Sequence, residues 1–233
     1  MGNLINLVVA GLATGAVYAL IAIGFTLLWQ TSQTINFAQG EFAMLPAFLM
    51  LAAASLGLPL WLAVLAGVAM SVLVLGAAFK LILVDPMLKH GVLPLAIATM
   101  ALSIFMKESV KELYSAEAQS FPSLLPDGNV SILGAPVSLQ SVGVFVTSIV
   151  AVVALQLFIT RTRTGRQMQA TAQNPTVARI LGIPVERMIM YTFLINALLV
   201  ALALLMISPI YLAKFTNGDT LGLAAFIAAI VGG

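Results

Sequence analysis

The chain has 233 residues, of which 61% are hydrophobic and 8% charged, with a formal net charge of +2; its mean hydropathy is +1.11. Soluble domains carry about 25% charged residues, so ten Lys and Arg with eight Asp and Glu cannot cover a water-facing surface, and a soluble globular enzyme is excluded. The absence of cysteine removes disulfides, thiolate metal sites and a cysteine nucleophile, and the small net charge offers no basic face for nucleic acid.

The N-terminal MGNLINLVV has no basic region, and the apolar stretch behind it outlasts a signal-peptide core. It is read as a retained first span. A crossing helix needs about 20 mostly apolar residues, which places spans near 5–29, 41–57, 59–83, 92–106, 141–159 and 188–213, with a seventh beginning at Leu221. The fold class is therefore all-α: a polytopic helical membrane protein of about six to eight transmembrane helices. The second and fourth spans are short, so each is read as a full crossing or as a broken, tilted or re-entrant segment.

Within the first span, Gly11, Gly15 and Ala19 recur every fourth position, as do Ala63, Gly67 and Ser71 in the third. Small residues at this spacing let helices approach closely, so both faces are expected to pack in the bundle. Between the first two spans lies TSQTINFAQGEF (31–42), whose Glu41 is the first charge in the chain. An ionisable group at membrane depth is expensive and points to function, and Gly40 beside it permits a backbone break. The alternative is an interfacial loop in which Glu41 marks a helix start.

The segment 107–140 is read as a loop with charges summing to −2, carrying a lid or a plain connector with a short hairpin around Asp127-Gly128. The segment 160–187 holds Arg161, Arg163, Arg166, Arg179 and Arg187, half of all the basic residues, which marks it as cytoplasmic. Counting back, 107–140 falls outside, and so does the N-terminus if 41–57 crosses fully. Two short helices fit inside 160–187. Thr164 or Gly165 opens the first; Asn174 caps the second, with Pro175 at its first position. Val177, Ile180 and Leu181 form its apolar stripe, Gly182 its C-terminal cap, and Pro184 prevents continuation. Such an ordered element suits docking into a protein groove, or else the arginines set topology and touch anionic lipid.

In the next span Asn196 is a polar residue that would need a hydrogen-bond partner; Thr14, Tyr18, Thr99, Ser103 and Ser208 are further polar groups in spans. Asp85, Asp127, Asp219 and His90 are read as loop residues. The final LGLAAFIAAIVGG is an apolar helix with no polar exit, so the natural chain is expected to continue beyond it.

INFAQGEF (35–42) behind a GxxxG-bearing first span, followed by TGRQMQATAQNPTVARILGI (164–183), resembles the permease subunits of bacterial ABC importers for branched-chain amino acids, a family that also includes permeases for other hydrophobic amino acids and for urea or short amides. The likeness covers nearly the whole chain. It implies one transmembrane permease domain over 1–233, working with a second homologous permease subunit, two ATP-binding subunits and a periplasmic (extracytoplasmic) substrate-binding protein in the cytoplasmic (inner) membrane. ATP would be held by the partner, leaving this chain without a cofactor, metal or catalytic residue of its own.

On this resemblance 164–183 is the loop that couples to the ATPase, with Gly165, Arg166, Ala172, Asn174, Pro175, Ala178 and Gly182 matching the pattern. Asn36, Phe37, Gly40 and Glu41 match the first signature. Family members often carry His where Gln39 stands, so no titratable group is expected there. Asn36, Phe37, Gln39, Gly40, Glu41 and Asn196 are taken as candidate translocation residues.

The residues weigh the alternatives too. Ion-coupled transporters tend to carry acids or bases inside their spans, and here Glu41 is the acid nearest one. The energy source is therefore expected on a partner. An intramembrane enzyme would need paired Asp, a Ser/His dyad or HExxH, and none is present in the sequence. A permease for urea or short amides, a passive channel or a secondary transporter remain the alternatives.

Overall fold

The computed structural model describes residues 2–33, 35–114, 117–126, 128–132 and 135–232. Helices account for nearly all of it: α1 (Gly2–Ser32), α2 (Gln39–Ser55), α3 (Leu60–Ser71), α4 (Asp85–Leu88), α5 (Val92–Tyr114), α6 (Leu139–Arg161), α7 (Arg163–Gln173), α8 (Pro175–Ile180), α9 (Val185–Tyr211) and α10 (Asn217–Gly232). A π-helical stretch, Val72–Val84, joins α3 to α4 without a break. Strands β1 (Asn129–Ile132) and β2 (Ala135–Ser138) pair antiparallel. Among the described residues five helices are long and apolar enough to cross a membrane: Leu4–Ser32, Leu60–Leu88, Val92–Tyr114, Leu139–Arg161 and Val185–Tyr211. With the shorter α2 and α10, each of the seven expected spans corresponds to a helix.

α9 is the central column, packed on α1, α2, α3, the π stretch, α6 and α7. Asn196, Ala197, Val200, Ala201 and Leu204 on it are wholly buried. α1 and α6 each run between an arginine end, where they touch α7, and a hairpin end, where they touch β2. α1 starts at the hairpin end, where the Thr14 and Tyr211 hydroxyls are 3.0 Å apart, and reaches α7 at the other. It stops at Gln33, whose φ of 53° is left-handed and cannot extend a right-handed helix.

α2 begins half-way back up the bundle, since Gln39 meets Asn196 near the middle of α9. The short second span is thus a helix that starts at mid-height, which is the broken reading rather than a hairpin returning to its own side. Consequently the N-terminal end of α1 and the β1–β2 hairpin share one end, as the full-crossing count requires.

Other expectations change. The fourth span does not end at 106: α5 continues to Tyr114, because Lys107, Lys111, Glu108 and Glu112 lie in its last turns, where they favour water without breaking a helix. The loop expected over 107–140 therefore begins only after Tyr114. Asp127 lies outside the described residues, and Gly128 precedes the hairpin instead of turning it, for the strands flank 133–134.

Small-residue faces divide. Gly67 fits against α2, where a Cβ would sit 2.7 Å from the Met50 Cβ. Gly11 and Gly15 have nothing within 4 Å of such an atom, so that face of α1 is open rather than packed. In the π stretch, Gly76 lets the backbone of α9 approach, a Cβ there falling 3.1 Å from the Leu194 Cα. The wider winding repeats at five residues: the Asp85 N–H donates to the Lys80 carbonyl, and the buried Lys80 Nζ reaches both Asp85 carboxylate oxygens at 2.7 and 2.8 Å. Asp85 thus opens α4 on the same continuous helix and is not a loop residue.

Candidate functional site

The polar segment between α1 and α2 folds inward because its side chains find partners there. Asn36 is 4% exposed, and its Oδ1 accepts the Ala38 N–H at 3.0 Å, a local turn that starts α2 without a conventional cap. The Phe37 N–H donates to Thr99 Oγ1 of α5 at 3.3 Å. Gln39 and Asn196 form a reciprocal amide pair: Gln39 Nε2 donates to Asn196 Oδ1 at 2.9 Å and Asn196 Nδ2 to Gln39 Oε1 at 3.1 Å. Both are buried. Gly24 of α1 makes room for them, since any side chain there would overlap the Asn196 amide.

Gly40 has a different task. A Cβ on it would stand 2.6 Å from the Gly218 carbonyl oxygen, and one on Gly218 2.9 Å from the Gly40 carbonyl oxygen. Gly222, one turn further along α10, faces the Gly40 backbone as closely. The two short helices, α2 and α10, therefore bring their N-terminal turns into backbone contact inside the bundle. Secondary transporters typically build their mid-membrane sites from discontinuous helices of this kind.

Each of these turns carries an acid: Glu41 in α2 and Asp219 in α10. Glu41 is buried, with the Ser103 side chain of α5 as a hydrogen-bond partner. Asp219 pairs with Lys107 of α5. It is a first-turn helical residue, not the loop residue expected. Between α1, α2, α5 and α10 lies a cavity of about 290 Å³. Asn36, Gln39, Glu41, Ser103 and Asp219 bound its polar side, and Phe25, Leu223 and Phe226 its apolar side, with Phe25 and Phe226 in edge contact at 5.2 Å between centroids. Phe37, 42% exposed, also lines it.

All six candidate translocation residues thus gather around one place. Asn36, Phe37, Gln39, Gly40 and Glu41 line the cavity and Asn196 anchors Gln39. Sequence reasoning missed Ser103 as the partner of Glu41, read Lys107 and Asp219 as loop charges, and passed over Gly218 and Gly222. The small-xxx-small spacing of Gly218 and Gly222 beside the lone acid of NGDTLG was the available signal.

At the arginine end, the two-helix reading of 160–187 holds closely. Thr162 Oγ1 accepts the Gly165 N–H at 2.9 Å and opens α7, two residues earlier than expected. Asn174 Oδ1 accepts the Thr176 and Val177 N–H groups, both at 3.0 Å, with Pro175 at the first position of α8. Gly182 has φ +79°, the left-handed cap geometry. α8 turns Ala178 inward and leaves Val177, Ile180 and Leu181 exposed, the last two at 79% and 72%. Arg179 pairs with Glu186 at 3.2 Å.

The seven residues matched here separate by role. Gly165 is buried against the last turn of α6, where the Phe158 carbonyl and the Ile159 backbone leave no space for a side chain. Ala178 is buried, Ala172 half-buried, and Arg166, Asn174, Pro175 and Gly182 are exposed.

Residues 7–233 match the family model described as the permease component of branched-chain amino acid transport systems. The chain is 32% identical to the high-affinity branched-chain amino acid transport system permease protein BraD of Pseudomonas aeruginosa, over 97% of this chain and 78% of that protein. It is 29% identical to the corresponding permease protein LivH of Escherichia coli, over 96% and 77%, and 26% identical to a probable LivH of the archaeon Methanocaldococcus jannaschii, over 92% and 69%. No solved structure matches. The chain belongs to the permease-component family of branched-chain amino acid transport systems, and is a multi-pass membrane protein.

Proposed function

We propose that this chain forms, with a second homologous permease subunit, the membrane pathway of an ATP-driven importer for branched-chain and other hydrophobic amino acids. Two ATP-binding subunits would engage it from the cytoplasm and an extracytoplasmic binding protein would deliver cargo from the other side. The chain itself would hold no ATP and catalyse no reaction. Its place would be the cytoplasmic membrane, with the arginine end inward by the positive-inside bias.

The observation that carries this reading is the arginine-end element: α7 and α8 are capped and anchored to α6 and α9, yet α8 offers Val177, Ile180 and Leu181 to solvent. Exposed aliphatic side chains on an ordered helix outside the apolar spans favour a groove in a partner over a merely topogenic loop. The second support is the family to which the chain belongs, whose named members are branched-chain amino acid permeases.

The test is uptake into proteoliposomes holding the complete assembly. Leucine, isoleucine and valine are expected to accumulate only with ATP and binding protein present, and excess urea is expected to leave leucine uptake unchanged. Leucine entry that ignores ATP would make the chain a channel or secondary transporter, and urea competition would move it to the amide-transporting branch.

A further inference from the structure

The cavity between α1, α2, α5 and α10 holds two unmet chemical demands. Glu41 is 4% exposed; the Ser103 side chain is its hydrogen-bond partner and Lys107 acts on it only at a distance, since among the described residues Lys107 makes its salt bridge with Asp219 and Glu41 makes none. A buried carboxylate without a directly paired cation is costly. Asn36, equally buried, spends its Oδ1 on Ala38 while its Nδ2 finds no acceptor among the described residues; an unmade hydrogen bond of this kind costs about 1–3 kcal/mol. Beyond these two groups the wall turns apolar at Phe25, Leu223 and Phe226.

We propose that this cavity is a binding site within the permease for a free aliphatic α-amino acid, with Glu41 receiving the ammonium group, the Asn36 amide donating to the carboxylate, and the Phe25–Phe226 wall taking the side chain. The proposal rests on the importer reading and names where, inside this chain, the cargo pauses.

The residues discriminate among ligands. A metal ion needs several oxygen or nitrogen ligands, and among the described residues no three His, Cys, Asp or Glu come together. Urea would satisfy Asn36 but leave Glu41 without a cation and the phenyl wall without a contact. An aliphatic amine would meet Glu41 and the wall and leave Asn36 unpaired. A molecule with ammonium, carboxylate and hydrocarbon together meets all three, and its carboxylate is a stronger acceptor for the Asn36 amide than a neutral hydroxyl would be. Gly40, Gly218 and Gly222 fit the same purpose, since side chains there would separate α2 from α10 and open the cavity between them.

The experiment is direct binding of radiolabelled leucine to the complete transporter in lipid nanodiscs without the binding protein. Leucinol, which lacks the carboxylate, isocaproate, which lacks the ammonium group, and urea serve as competitors. Saturable leucine binding is expected, with each competitor at least tenfold weaker. Glu41→Gln should weaken leucine more than tenfold, and Asn36→Ala should shrink the gap between leucine and leucinol. Phe226→Trp, which fills the cavity from its apolar wall without touching a polar group, should abolish binding while the ATP-binding subunits still co-purify.

A wild-type transporter that imports leucine yet shows no saturable binding, or shows binding that all three variants leave unchanged, overturns the site and leaves the importer reading standing. Wild-type protein that binds leucine as described but fails to import it with ATP overturns the importer reading instead.

Discussion

Gln39 and Asn196 are 157 residues apart in sequence, and their buried amides close on each other. Such a pair holds α2 to α9 and fixes where Glu41, two residues on, begins the first turn of α2. Interhelical hydrogen bonds in membranes average about 0.6 kcal/mol and reach about 1.7, while a lone buried amide loses more. We therefore expect Gln39→Leu and Asn196→Leu each to destabilise the protein, and the double variant to lose less than the sum. A double-mutant cycle on thermal unfolding in detergent should return a coupling of about 0.5–2 kcal/mol; strict additivity would mean that the pair is not formed. At this scale the sequence marked both residues as polar groups in need of partners, but it held no clue that they were each other's.

Elements were more legible where their ends are written locally. The caps of α8 could be read from Asn174, Pro175 and Gly182 because a helix terminus is decided by its nearest neighbours. The extent of α5 could not, since charged residues suit the end of a membrane helix as well as a loop. The α2–α10 crossing was out of reach of any local rule. It depends on Gly40 and Gly218 meeting backbone to backbone, and this contact gives a sharp expectation: Gly40→Val should cost about 1–3 kcal/mol as overpacking. Gly15→Val, in the open face of α1, should stay within about 0.5 kcal/mol in the isolated subunit. Thermal unfolding of the two variants side by side measures this, and equal effects would refute the crossing.

For the whole molecule, the two working regions lie on different elements: the cavity inside the bundle and α8 at the arginine end, joined through α9, which carries Asn196 and follows directly on α8. Probes of docking must leave that connection intact. Ala178 is buried and Gly182 needs its positive φ, so changes there damage α8 itself. Ile180→Asp and Leu181→Asp alter only exposed side chains; the subunit should keep its folded stability while losing co-purification with the ATP-binding subunits and stimulation of their hydrolysis. Retained ATPase partners in both variants would return the arginine end to a purely topogenic role.

The sequence by itself determined where the apolar segments lie, the polar stretch before Glu41 and the capped helix pair of 160–187, because length, charge placement and cap chemistry act over a few residues. Tertiary structure alone decided which face of each span turns inward. On α6 the buried positions are Gln140, Ser141, Val144 and Ser148, while Val146, Val150, Val153 and Leu157 face outward. Lipid is as apolar as leucine, so hydropathy cannot separate core from perimeter in a membrane. Close backbone approach and paired polar groups make that separation, and both are set by residues far apart in the chain.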